Sequence, residues 1–196
     1  MHTDTAMPWR GAADTSDEDV ALVRAAQQHR AAFAPLYHRY RHRVYAYLYT
    51  RLPHAEDAAD LTQQVFVQAL VALPRYRPDG PPFAGWLFRI ARNAVVDFQR
   101  RRRRGAVTLE RVPEQLHPPA DQDLEAQVVQ REALAHLHAT LGTLDPATRD
   151  LLLLRFVGQL TVVEIGAAIG ISPAAASKRI QRGLQTVKEQ YHEPPA

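Results

Sequence analysis

The sequence predicts an all-α protein: two small helical domains joined by a flexible linker, the second a four-helix domain with a helix-turn-helix. Three observations predict it. Apolar residues recur at spacings of three and four, the period of one face of a helix, and no strand alternation occurs along the chain. The stretch GAVTLERVPEQLHPPADQD, residues 105–123, holds three prolines and no period, and divides the chain. Residues 161–184, TVVEIGAAIGISPAAASKRIQRGL, contain two helix signatures joined by a glycine turn.

Residues 1 to about 15 are polar and aperiodic, and are expected to form a disordered tail. Ser16 or Asp17 suits the cap of a first short helix reaching about Arg24, with Val20 and Val23 inward. A longer helix from Phe33 carries Leu36, Tyr37, Tyr40, Val44, Tyr47, Leu48 and Arg51 as an aromatic-rich stripe. Pro35 falls in its first turn, where the missing N–H costs little, and Pro53 marks its end. The third helix, about Ala55 to Leu73, turns Leu61, Val65, Phe66, Ala69, Leu70 and Leu73 inward and opens with Glu56, Asp57 and Asp60 at the positive end of its dipole. PRYRPDGPP, residues 74–82, is too rich in proline and glycine to be regular. The fourth helix, Phe83 to about Arg104, places Leu87, Ile90, Ala91, Ala94 and Phe98 on one face and Arg89, Arg92, Asn93, Val96 and Gln99 on the other. It ends in five consecutive arginines, Arg100, Arg101, Arg102, Arg103 and Arg104. One or two cations would satisfy the helix dipole. Five imply a polyanion.

Beyond the linker, Leu124, Val128, Leu134, Leu137 and Leu141 share one helix face, and Asp145-Pro146 reads as a cap and first residue of a helix running through LLLLRF to Gly158. Thr161 and Glu164 fit a capping box, Gly170 supplies a tight turn, and Ser172-Pro173 starts the last helix. Along that helix Ala176, Ile180, Leu184, Val187 and Tyr191 form the expected buried face. The opposite side carries Ala174, Ala175, Lys178, Arg179, Gln181, Arg182 and Gln185. Arg and Lys donate to guanine, Gln pairs with adenine, and alanine permits close approach, so this face suits a DNA major groove. The plain alternative is an amphipathic helix with a solvated charged face.

Charge distribution supports the first reading. The chain of 196 residues has a net charge of only +3. Residues 17–104 hold fifteen Arg against eight acids, residues 105–126 one Arg against five acids, and residues 127–192 seven basic against five acidic residues. A basic half, an acidic joint and a mildly basic half suggest two nucleic-acid-facing modules, residues 16–104 and 124–192. Fully extended, the joint spans at most roughly 60 Å. As a flexible coil it averages about 23 Å.

Several functions are disfavoured. The absence of cysteine excludes disulfides, cysteine zinc sites and thiol catalysis. Of nine histidines, His38 and His42 lie four apart and His136 and His138 two apart, but no third ligand is near either pair, so no metal or cofactor is expected. Asp57, Asp60, Asp97, Asp145 and Asp150 are assigned to helix ends or surfaces, which leaves an enzyme acting on nucleic acid without support. With no signal peptide and no long apolar run, a soluble cytoplasmic protein is expected.

Four segments in this order, FAPLYHRYRHRVYAYLYTRL, DLTQQVFVQAL, FAGWLFRIARNAVVDFQRRRR and LDPATRDLLLLRFVGQLTVVEIGAAIGISPAAASKRIQRGL, resemble the extracytoplasmic-function sigma factors of bacterial RNA polymerase over roughly residues 17–191. The resemblance implies a first module that binds the polymerase clamp and opens the minus-ten promoter element, and a second that reads the minus-thirty-five element. By position it puts Asp60, Gln63, Gln64 and Phe66 in the polymerase-binding helix, and the loop Arg75 to Pro82, with Arg77, and the face Arg89, Arg92 and Asn93 at minus-ten DNA. It puts Thr161, Ser172, Ala174, Ala175, Lys178, Arg179, Gln181 and Arg182 at minus-thirty-five DNA. It further implies an anti-sigma partner. Two positions depart from the family pattern: Gln64 stands where an acid is usual, and SPAAASKR replaces the usual glycine, threonine or valine, and lysine, so the promoter sequence is not specified.

The physical reading gives this assignment a mechanism. Melting a duplex needs a site that stacks an unpaired base and offsets a few kcal/mol of unstacking. Tyr76, Phe88 and Trp86 are the candidates, with Trp86 weighted towards the core. The arginine run holds phosphates without reading bases. The rival is a helix-turn-helix repressor or activator acting without polymerase, which needs a dimer or a ligand-sensing module. Neither a heptad seam nor a pocket signature is present.

Overall fold

The computed structural model describes residues 12–52, 54–105 and 142–192, and all regular structure among them is helical. The expected linker and the helix from Leu124 to Leu141 lie outside the described residues, apart from Gly105. So do Pro53 and the first eleven residues of the expected tail.

Helix α1, Ala12–Gln28, starts before the expected cap at Ser16 and runs a turn past Arg24. Val23 and Ala26 are buried, and so is Asp19, which accepts hydrogen bonds from the Tyr40 hydroxyl and from Arg39 Nη1 at 2.9 Å. Burial pushes the Asp19 carboxyl above its ordinary value, with those two bonds opposing. At the far end Gln27 Nε2 donates to Leu73 O (2.9 Å) and Tyr76 O (2.7 Å), so α1 reaches as far as it does because the loop after α3 supplies polar partners. Those carbonyls are contributed from almost fifty residues away, beyond the reach of a periodicity argument.

A 3₁₀ turn, Arg30–Phe33, leads into α2, Ala34–Tyr49, with proline in its first turn as expected. Leu36, Tyr40, Val44, Tyr47 and Leu48 are buried. Helix α3, Ala55–Ala72, buries Ala58, Leu61, Val65, Phe66 and Ala69. Phe66 meets Phe33 and Tyr37 edge-on at centroid distances of 6.3 and 4.9 Å. After a short 3₁₀ turn, Leu73–Arg75, the proline-rich loop leads into α4, Phe83–Gly105. Tyr76 is fixed by its hydroxyl, which donates to Pro81 O at 2.7 Å, and by Phe83 and Trp86 at 5.8 and 4.9 Å. Burial pushes the Tyr76 phenol up to about 12.

In the second module α5, Pro146–Phe156, is capped by Asp145, whose carboxylate accepts from Ala147 N and Thr148 N, each at 3.0 Å. Hydrogen bonding from Thr148 holds that carboxyl below its ordinary value. Leu151, Leu152, Leu153 and Leu154 are all buried, which no single face of a helix permits; α5 is enclosed on more than one side. Helix α6, Val162–Ile169, opens with the expected capping box: Thr161 N donates to Glu164 Oε2 (2.7 Å) and Glu164 N to Thr161 Oγ1 (3.2 Å). Gly170 takes the left-handed conformation, φ 76°, that glycine adopts without steric cost. Helix α7, Pro173–His192, follows Ser172, whose Oγ accepts from Ala175 N at 3.2 Å.

The buried edge of α7 differs from expectation at Leu184, which is 41% exposed. Gly183 is buried in its place, because α5 comes so close that a Cβ there would lie 2.6 Å from Thr148 Cγ2. Ala176, Ile180, Gly183 and Val187 therefore form the inward line. Tyr191, also expected there, has a side chain outside the described part.

The two modules pack against each other in one continuous core, along α4 and α6. Gly85 makes the approach possible: a Cβ there would lie 2.7 Å from Glu164 O and 2.8 Å from Ala167 Cβ. Phe88 is fully buried, its ring 5.7 Å from Tyr47 and against the backbone of Gly158. Beside it Arg43 Nε and Nη2 donate to Gly158 O and Gln159 O, both at 2.9 Å, and hold the α5–α6 turn, where Gln159 has a left-handed φ of 54°.

Asp150, expected at a helix end or surface, is 4% exposed. Its Oδ1 accepts from the Tyr47 hydroxyl at 2.7 Å and from Arg51, and its Oδ2 from Arg92 Nε at 2.6 Å. A buried ion pair adds little net stability over an apolar substitute, because desolvation consumes the Coulombic gain. Apolar burial, about 1.5–3 kcal/mol for a side chain such as Phe88, stabilises this seam more. What Asp150 supplies is register: three donors from α2, α4 and the turn after α2 converge on one carboxylate.

Candidate nucleic-acid interface

Helix α7 places Ala174, Lys178, Arg179, Gln181 and Arg182 in solvent, with Ala175 half-buried. Successive spacings of four, three and four along 174, 178, 181 and 185 keep them on one side of the helix. Arg179 and Arg182 also line a groove with Asp145, Thr148 and Thr186 at the foot of α5. The groups suited to base edges are thus open, and the small alanines at the leading end leave the backbone approachable. Thr161 and Ser172 are different. Both side chains accept backbone hydrogen bonds as caps, so their role is to fix where α6 and α7 begin.

On the first module, Arg75 and Arg77 of the loop and Arg89 and Asn93 of α4 are exposed, along with Val96. Arg100 and Arg101 are exposed, Arg100 pairing with Asp97 at 3.1 Å, and exposed Arg102 lies 3.6 Å from Asp57. Surface pairs of this kind are worth little and exchange readily for phosphate. The backbone of Arg103 and Arg104 continues the helix; their side chains lie outside the described part.

Four expected contact residues, Phe88, Tyr76, Arg92 and Phe66, are elsewhere. Phe88 is enclosed between the modules and Tyr76 between Phe83 and Trp86, so neither ring offers a face to a base in this arrangement. Trp86 is a core residue, as expected. Arg92, half-buried, is engaged by Asp150. Phe66 is 4% exposed and belongs to the core, so it has no surface to offer a partner. The outer face of α3 instead shows Asp60, Gln63 and Gln64 with Val67 (61% exposed) and Val71 (69% exposed). These valines were findable, since they stand four apart on the side opposite Leu61 and Val65. Asp150, Arg43 and Arg51 were not, because their partners are more than fifty residues away. Among the described residues there is no cluster of three or more potential metal ligands, and no helix long and apolar enough to cross a membrane.

Residues 36–105 match the family Sigma-70 region 2, and residues 134–187 match Sigma-70, region 4. The chain is 35% identical to the ECF RNA polymerase sigma factor ShbA of Streptomyces griseus subsp. griseus over 133 residues, 66% of this chain and 69% of that one. The chain belongs to the ECF sigma factors. It is also 34% identical to the ECF sigma factor SigE of Mycolicibacterium smegmatis over 149 residues, 75% of this chain but only 56% of SigE. Among solved structures, that of CnrH in complex with the cytosolic domain of CnrY is similar, with a TM-score of 0.65 and 26% identity over 90% of this chain and 99% of CnrH. The fold of the sigma factor is thus all-α with region 2 in α2 to α4 and region 4 ending in α7. The helix-turn-helix of α6 and α7 lies within region 4, and the arginine run closes region 2.

Proposed function

We propose that this chain is an ECF-type initiation factor: it binds core RNA polymerase, directs it to particular promoters and opens the minus-ten region. The observation that carries this is the open face of α7, with Lys178, Gln181 and Arg182 in solvent on a helix whose start is capped by Ser172. The second module, residues 124–192, reads minus-thirty-five DNA through that face. The first module, residues 16–104, engages the minus-ten element through Arg75, Arg77, Arg89, Asn93 and the arginine run, which binds phosphate without reading sequence. Residues 105–123 act as the tether, which lets two weak contacts raise each other's effective concentration.

The polymerase clamp is met by the outer face of α3. Asp60, Gln63 and Gln64 supply polar contacts, and Val67 and Val71 supply apolar area where an exposed helix face would ordinarily be charged. The protein works in the cytoplasm beside polymerase, without catalysis of its own. CnrH binds the cytosolic domain of CnrY, and by analogy an anti-sigma partner holds this chain in check. Run-off transcription with purified core polymerase tests the reading. Initiation from a defined start that depends on the added chain is expected; retardation of duplex without initiation would return the repressor reading.

A further inference from the structure

The loop between α3 and α4 carries Arg75 and Arg77, which the proposed function turns towards minus-ten DNA, and helix α1 holds that loop from outside. Helix α1, residues 12–28, precedes residues 36–105, the segment that matches Sigma-70 region 2. In its last turn the half-buried Gln27 Nε2 donates to Leu73 O at 2.9 Å and to Tyr76 O at 2.7 Å. The far end of the loop is closed by the Tyr76 hydroxyl, which donates to Pro81 O at 2.7 Å, and its middle by Gly80 N, which donates to Arg77 O at 3.0 Å. Helix α1 is in turn tied to α2: Asp19 accepts from the Tyr40 hydroxyl and Arg39 Nη1, and Glu18 from Arg39 Nη2.

The backbone gives this grip a consequence. Tyr76 is extended, φ −70° and ψ 139°, so the side chains on either side of it leave the chain opposite to its own. With the Tyr76 ring buried against Phe83 and Trp86, Arg75 and Arg77 both point to solvent. A rotation about Tyr76 would swing the two guanidinium groups together. Both partners of Gln27 are carbonyl acceptors, so only a donor suits its place, and one amide nitrogen supplies two N–H groups.

We propose that Gln27 is a positioning residue for promoter recognition: it sets the loop of residues 74–82 so that Arg75 and Arg77 meet the minus-ten element in one fixed geometry. The inference rests on the sigma reading for what the arginines touch, though not for the grip of α1 on the loop. Arginine reads a base edge only in a defined orientation, whereas a phosphate contact tolerates displacement. A loop set in advance also meets DNA without first losing conformational freedom. Gln27 acts through the arginines and not by contact of its own.

Gln27→Glu is the deciding variant, because it keeps the shape and at neutral pH puts acceptors against two carbonyls. Gln27→Ala is the milder second, removing the donors with a residue that favours helix. Amide hydrogen exchange in the full chain reads the grip directly. The amides from Arg75 to Gly80 are expected to exchange faster in both variants, with α2 and α3 unchanged. An unchanged loop would overturn the grip itself, whatever the chain does with polymerase.

Run-off initiation with core polymerase is then measured on a promoter selected from a random pool by the parent holoenzyme, and on single-base changes in each of its elements. Both variants are expected to lower initiation about three- to tenfold, the scale of one or two lost hydrogen bonds. The spread among minus-ten changes should narrow, while the spread among minus-thirty-five changes stays as in the parent. In a chain already carrying Arg75→Ala and Arg77→Ala, Gln27→Glu should add nothing further. A loss shared equally by both elements, or one that adds fully to the arginine changes, would mark a merely structural role and overturn the proposal. If the parent itself supports no initiation while its loop exchange responds to Gln27, the sigma reading has failed and the promoter role falls with it.

Discussion

Helices α4 and α7 are built alike, each with an apolar side and a cationic side, yet they end in different surroundings. The cationic side of α7 is open along its length, with Lys178, Arg179, Gln181 and Arg182 in solvent. The far side of α4 is divided: Arg89 and Asn93 are exposed, whereas Phe88 and Arg92 are taken up by the second module. The difference lies in what each helix meets. Caps and a left-handed glycine position α7, all within a dozen residues of its start. Helix α4 is covered by α6, which folds from sequence about eighty residues further on. A local surface is ready for its ligand at all times; a shared one is available only when its neighbour leaves.

The sharpest test of this contrast is Phe88→Ala. Removing a fully buried ring from the seam is expected to cost about 3–5 kcal/mol in chemical denaturation, whereas Lys178→Ala on the open helix should lie within about 0.5 kcal/mol of the parent. Equal costs would mean that the seam is not part of the folded core in solution.

A comparable contrast exists within α3. Phe66→Ala is expected to destabilise by about 3–5 kcal/mol through cavity formation. The double change Val67→Ser and Val71→Ser should leave stability nearly untouched and reduce co-purification with core polymerase. Normal co-purification of the double variant would move the docking surface off this helix.

Smaller effects separate reading from holding. Lys178→Ala or Arg182→Ala should each change affinity by about 1–3 kcal/mol on a preferred promoter and relax sequence preference. Neutralising Arg100, Arg101 and Arg102 should weaken binding to all duplexes alike and flatten its salt dependence, seen in titrations at several salt concentrations. Identical loss of selectivity in both sets would remove the division of labour between α7 and the end of α4.

The smallest expected effect is alkaline. Tyr76 has its phenol raised to about 12 from 10.0 by burial, so its contribution is fully present below about pH 10 and is lost as pH rises towards 12. Denaturant melts of Tyr76→Phe should show a shallower loss of stability over that interval than the parent. Tyr40 and Tyr47, also raised by burial and by the neighbouring carboxylates Asp19 and Asp150, continue to contribute.

Much of this molecule follows from sequence alone. The bounds of α2, α3 and α6, the capping box at Thr161 and Glu164, the Asp145 cap, the turn at Gly170 and the open face of α7 were all legible, because each depends on residues a few positions apart. Periodicity also separated the buried from the exposed side of α3. It failed where a second element intervenes. Leu184 is exposed because Gly183 lets α5 come close, Phe88 is core because other helices cover it, and Asp150 is buried because Tyr47, Arg51 and Arg92 meet it. Helical period encodes which residues share a face. Whether that face meets solvent, a neighbouring helix or the opposite module is decided by long-range packing, whose partners in this chain lie up to about a hundred residues apart.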